Sequence, residues 1–249
     1  MKRADIVNVR GLLGGRARYR CGPARPGFHW EPQQVAQLVV DLENAAHDSH
    51  EEEDVAANHL YLGVITISPS KSGHSIVLDG QQRLAVLVMF LAFARDRMPS
   101  DRDRNMIDRL LVRRAFGRLP EARLRLSPED HAWFSHFILP PGATCRLPET
   151  SPLGSPRELL LCARFMEHTF AQYKAAQLSS IVDFLLHHTA VCRSLGEVRQ
   201  TAATSMSVST SLPALPAPDV PTAPMPPPAH PVWANHSAVP AARYRVAAE

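Results

Sequence analysis

The spacing of apolar positions divides the chain into a mixed set of elements. Arg16 to Cys21 alternates as a short strand. Gly22-Pro23 and Pro26-Gly27 then break the chain into a loop, with Phe28 and Trp30 as apolar anchors beside it. Pro32 suits a first helical turn, and Val35, Leu38, Val39 and Leu42 share one face of a helix ending near Ala46. Leu60 to Ser68 is rich in β-branched residues and predicts a strand. The Pro69 to Gly73 turn returns it as Ser75 to Leu78, a hairpin. A helix follows from Gln81 to about Met98. It is apolar nearly all round, which predicts the central core helix.

Beyond it, Asp101 begins a helix that runs to about Phe116, and Arg123 to Leu126 predicts a short strand. Ser127-Pro128-Glu129-Asp130 is a helix start with a hydroxyl cap, a first-turn proline and acids behind. That helix carries Trp133, Phe134 and Phe137. After a loop from Pro140 to Pro156, one helix is expected to about Ala175 and a last one from about Leu178 to Cys192. After about Arg199 the chain is built of Ala, Pro, Ser and Thr. Such a segment buries too little apolar surface to offset its chain entropy, so the expectation is a disordered tail.

The predicted fold class is therefore α+β: a small sheet core followed by a helical region. The division expected is a core over 1–100, a helical extension of the same domain over 101–198, and the tail over 199–249. The sheet is expected from segments near Arg18, Leu62, Ile76 and Leu124.

Composition adds less. The net charge of +3 does not by itself mark a nucleic-acid binder, but its distribution is uneven. Arg10, Arg16, Arg18, Arg20 and Arg25 stand in an N-terminal basic segment, and a second runs from Arg95 to Arg125. Asp41 to Asp54 carries no Lys or Arg. Basic segments of this kind meet phosphate backbones; solvated helix faces look the same. The four cysteines, Cys21, Cys145, Cys162 and Cys192, lack zinc-knuckle or redox-pair spacing and read as reduced thiols. His187-His188 has no ligand partner at metal spacing. The basic N-terminus is not followed by a secretory apolar core, and the run Leu84 to Ala94 is too short to span a bilayer. A soluble, cytoplasmic protein without membrane contact is expected.

The chemistry concentrates in Asp79-Gly80-Gln81-Gln82-Arg83. A strand that turns at glycine into a helix leaves backbone N–H groups free at the positive dipole end, a site for an anion such as a phosphate. Gly80 lets a ligand approach the backbone. Arg83 carries a planar, permanent charge suited to an anion. Asp79 suits either a metal ion or a helix cap.

Three stretches resemble the N-terminal domain of the GmrSD-type restriction endonucleases, a family with a ParB/sulfiredoxin-like core. They are Gly14-Gly15-Arg16-Ala17-Arg18-Tyr19-Arg20 with Gly27-Phe28-His29-Trp30-Glu31-Pro32 and Gln34 to Leu42; Tyr61-Leu62-Gly63-Val64-Ile65; and Val77-Leu78-Asp79-Gly80-Gln81-Gln82-Arg83-Leu84. The likeness covers roughly Leu12 to Val191. It implies a modification-dependent (type IV) defence system that hydrolyses a nucleoside triphosphate and cuts foreign modified DNA, with a nuclease domain attached or encoded separately. Carried over, Gly80 and the amides of Gln81 and Gln82 receive a phosphate, Arg83 neutralises it, and Asp79 orients magnesium or water. The resemblance implies Asp79, Gln82 and Arg83 as catalytic, Gly80, Gln81 and Arg25 as cofactor-binding, and Asp79 as the metal ligand.

The chain departs from the family pattern in two places. The family's Gln-Arg pair falls on Arg25 and Pro26, and a Phe-x-x-Leu-Asn-x-Arg-Gly stretch is replaced by Glu197-Val198-Arg199-Gln200-Thr201-Ala202. Two alternatives to a nucleotide-hydrolysing module therefore stand: a non-catalytic DNA-binding or assembly module, and a truncated, inactive relative.

Overall fold

The structure is a computed structural model, which describes residues 4–22, 27–51, 59–70, 73–114, 116–117 and 119–196. The expected tail lies outside the described residues. Among the described residues, eight strands and seven α-helices follow in the order β1 (Ala4–Val7), α1 (Val9–Leu13), β2 (Tyr19–Cys21), α2 (Pro32–Glu51), β3 (Leu60–Ser68), β4 (Ser75–Asp79), α3 (Gln81–Arg97), α4 (Asp101–Leu111), β5 (Val112–Arg113), β6 (Glu121–Ala122), β7 (Leu124–Arg125), α5 (Pro128–Phe137), α6 (Pro156–Ala171), α7 (Ala175–His187) and β8 (Thr189–Leu195). The α+β class is as expected.

Six strands form one mixed sheet in the order β1-β8-β3-β4-β2-β7, and β5 pairs β6 separately. The β3–β4 hairpin is antiparallel, with Ile67 opposite Val77. β2 lies parallel to both β4 and β7. The helix α3 is the core element: Leu84 to Ala94 are all at most 1 % exposed. Its all-apolar surface has no solvent face to present, so other elements pack around it. Phe90 and Phe93 meet Phe170 of α6.

Several boundaries differ from the sequence reading. The strand β8 occupies residues expected to continue the last helix. The chain leaves α7 at His188, and the Thr189 hydroxyl donates to the Leu185 carbonyl at 2.7 Å. No glycine or proline marks this junction, and apolar residues continue across it, so the period alone did not separate helix from strand. β8 then takes a place inside the sheet, parallel to β3 and antiparallel to β1. The helix α4 stops at Leu111 rather than near Phe116, because Val112 turns extended and pairs with Ala122. β1 and α1 were not expected at all.

At the lower end of α3, Arg95 is 1 % exposed. Its guanidinium donates to Asp96, Asp108 and the carbonyls of Ile138, Leu139 and Pro140. A buried charge needs this degree of pairing. Part of the basic stretch from Arg95 to Arg125 is therefore internal scaffolding.

Candidate functional site

The strand β4 ends at Asp79, and Gly80 opens α3 in the left-handed region, at φ 84° and ψ 13°. No side chain caps the helix there, so Asp79 is not the N-cap. A Cβ on Gly80 would stand 2.9 Å from Ile65 Cγ1 and 3.0 Å from the Val64 carbonyl oxygen. Both the dihedral and the close approach to β3 demand glycine. Asp79 is exposed, and Gln81 is half-buried.

The side chains of Gln82 and Arg83 face inward. Gln82 is 9 % exposed. Its Oε1 accepts from the His29 amide at 3.1 Å, while Nε2 donates to the Gly27 carbonyl at 3.1 Å and stands 2.9 Å from His29 Nδ1. Asp130 holds the same loop from the other side, accepting from the Phe28 amide at 2.8 Å and from Ser155 Oγ at 2.5 Å. Phe28 and Trp30 are buried as anchors. The side-chain carboxamide of Gln82 fastens the Gly27–His29 loop to the start of α3.

Arg83 donates from Nη1 to the Val64 carbonyl at 2.9 Å. Its guanidinium lies over Gly63, where a Cβ would come within 3.1 Å. Gly63 has φ 89° and sits where the β3–β8 register shifts between Tyr61 and Val64. A glycine in an irregular strand admits a close neighbour that any other residue would displace. Burial lowers the Arg83 pKa, and the nearby Asp79 carboxylate opposes that shift. The guanidinium braces α3 against β3.

Beside Gln81 and Gln82, the hollow bounded by Cys21, Phe28, Ser127 and Asp130 has a volume of only about 10 Å³. That is about the size of one water. Arg25 and Pro26 lie outside the described residues. Among the described residues, no group of three or more His, Cys, Asp or Glu side chains forms a metal centre. Asp79 thus stands as a single exposed carboxylate.

A far larger space lies at the opposite end of β4. A cleft of about 1180 Å³ is lined by Arg10, Arg16, Arg102, Arg109, Arg123 and Arg193, together with Asn8, Asn105, Tyr19 and Ser75. Among the described residues that line it, none is acidic. The two basic segments of the sequence meet here, although they are far apart along the chain.

Residues 26–142 match the family model described as GmrSD restriction endonuclease, N-terminal domain. That segment, just under half of the chain, is similar to the GmrSD N-terminal domain family. No curated protein matches the chain. The GmrSD segment contains Gly63, the Gly80 corner, Gln82, Arg83 and Asp130. Their contacts give the motif a structural meaning: glycines at φ 89° and 84° let β3 and α3 close on each other.

Two of the four thiols are buried and poorly reactive. Burial pushes Cys21 and Cys162 up to about 12, and the thiolate is the reactive form. Among the described residues, no helix is long and apolar enough to cross a membrane.

Proposed function

We propose that the chain is the nucleotide-binding and hydrolysing module of a modification-dependent restriction system directed against foreign DNA. The observation that carries this reading is the left-handed Gly80 at the head of α3, with Asp79 exposed beside it. A helix opening without a side-chain cap presents first-turn amides and the positive dipole end to an anion. The amides of Gln81 and Gln82 are the proposed phosphate donors, and Asp79 is the proposed ligand for magnesium. Magnesium beside phosphates is commonly held by one or two protein carboxylates, so a single exposed aspartate fits it; when bound, it would neutralise developing phosphate charge. Gln82 and Arg83 act as positioning residues, one fixing the Gly27–His29 loop and the other fixing Val64 against the corner. This module carries the proposed ParB/sulfiredoxin-like core, and cutting of modified DNA is assigned to a separate nuclease subunit acting with it.

Hydrolysis of nucleoside triphosphates, measured with and without modified DNA, tests the reading. Asp79→Asn is expected to abolish magnesium-dependent turnover without moving the melting temperature. Turnover equal to that of the unsubstituted chain would defeat the assignment.

The engagement of Gln82 and Arg83 in internal contacts favours a second reading, a non-catalytic DNA-binding or assembly module. Salt-dependent DNA binding with no nucleotide binding or turnover, in the unsubstituted chain as in Asp79→Asn, would select it.

A further inference from the structure

The cleft at the Ser75 end of β4 differs in kind from the Gly80 corner. Its arginines come from four separate parts of the fold. Arg10 is on α1, and Arg16 is in the turn after it. Arg102 and Arg109 are on one face of α4, and Arg123 and Arg193 lie in or beside the sheet. Two of them serve the scaffold. Arg123 is 7 % exposed and donates to the carbonyls of Gly15, Ala17 and Arg109. Arg193 pairs with Asp5.

The lip is different. Arg16, Arg102 and Arg109 are exposed, and none makes an ion pair with a described acid. Arg10 Nη1 lies 2.9 Å from His187 Nε2, and His187 faces Asp183 at 3.0 Å. Arg102 and Arg109 lie seven positions apart, two turns, so both project from the same side of α4. Asn105 and Met106 fill the turn between them.

Mutual repulsion among these charges is unfavourable unless an anion relieves it. The arrangement also says what kind of anion. Cations spread along an open cleft match a series of phosphates better than one compact group. The aromatic ring in the lining belongs to Tyr19, which is 1 % exposed and donates its hydroxyl to the Leu12 carbonyl, so the cleft offers no stacking platform for a base. Among the described residues, the lining contains no carboxylate to hold a metal with a nucleoside triphosphate. These features favour contact to backbone phosphates, which positions a nucleic acid without reading its sequence.

We infer that this arginine cleft seats the phosphodiester backbone of a DNA strand, through Arg16, Arg102 and Arg109 at its lip. The site is separate from the Gly80 corner and does not depend on the nucleotide reading.

The test uses the full chain and fluorescein-labelled duplex DNA, with affinity measured over a series of salt concentrations. Arg102→Gln with Arg109→Gln is compared with Arg146→Gln with Arg157→Gln, two exposed arginines outside the cleft. The cleft pair is expected to weaken binding by about tenfold or more per lost phosphate contact. It should also make the slope of log affinity against log salt shallower by about 1.8, two contacts' worth. The control pair should leave both unchanged. Affinity and slope equal to those of the unsubstituted chain would overturn the proposal, as would an equal loss in the control pair. Displacement of DNA by an equimolar amount of inorganic tripolyphosphate would also overturn it, because the site would then prefer a short free polyphosphate. Nucleotide turnover in the cleft variant, measured without DNA, should be unaffected, which separates this result from failure of the Gly80 assignment.

Discussion

The two ends of β4 use arginine in opposite ways. At the Asp79 end, Arg83 is folded onto the backbone of β3, against Gly63 and the Val64 carbonyl. At the Ser75 end, Arg16, Arg102 and Arg109 are exposed beside a cleft whose described lining residues include no acid. The same side chain braces the fold in one place and leaves charge open in the other. What decides is the carbonyl supply. An irregular strand or a helix end offers unpaired acceptors that a planar fork can satisfy; the outward face of α4 offers none.

The contrast is sharpest for Arg95, where the internal use is complete. Arg95→Ala would take the guanidinium from Asp96 and Asp108 and leave the carbonyls of Ile138, Leu139 and Pro140 without that donor, while Asp96 keeps Gly142 and Thr144 and Asp108 keeps Arg114. The expected destabilisation is about 3–5 kcal/mol, read from urea or thermal unfolding. A loss near zero would show that α3 does not depend on its arginine anchor.

Next in size is Gly63→Ala. It adds a Cβ 3.1 Å from the Arg83 guanidinium at a residue with φ 89°. The strained backbone alone is expected to cost about 1–3 kcal/mol, measured by the same unfolding. If stability is unchanged, the brace is not held in place by that glycine.

A smaller effect is expected in acid. Burial alone would raise the Asp96 pKa, but hydrogen bonds from Arg95, the Gly142 amide and Thr144, with the Arg95 charge, outweigh it and hold the carboxyl below its usual value. A carboxylate depressed in the folded state contributes stability above its unfolded pKa and loses it as pH falls through the folded pKa. Asp96→Asn should therefore lower stability at neutral pH and flatten its decline below the ordinary carboxylate range. An unchanged acid limb would assign that decline to other groups.

The smallest effect belongs to the cleft. Arg102→Gln with Arg109→Gln should change stability by no more than about 0.5 kcal/mol, since neither side chain pairs with a described acid. A large loss would mean that the lip arginines are structural after all.

The sequence made α3 plain, because eleven successive apolar residues allow no exposed face, and the hairpin was marked by its turn residues. The Gly80 corner was legible for the same reason: glycine between a β-branched run and a greasy helix has few other uses. Three things were hidden. β8 follows α7 without a breaker. The inward turn of Gln82 and Arg83 depends on partners at Gly27, His29 and Val64, which local spacing does not encode. The sequence reading placed Asp130 only as a helix-start acid, whereas it also fixes the Phe28 amide from 102 positions away. The cleft was half visible, as two basic stretches whose meeting only the fold supplies. The matched segment, 26–142, holds neither Arg10 nor Arg16 nor Arg193.

The placement of β8 has a consequence for how the chain matures. This late strand is inserted between the first strand and the third, so the sheet stays split until synthesis has passed Leu195. A nascent chain emerging from the ribosome would meanwhile expose the flank of β3 as an unpaired edge, open to association with other chains. A fragment trimmed to the family boundaries would keep that wound permanently.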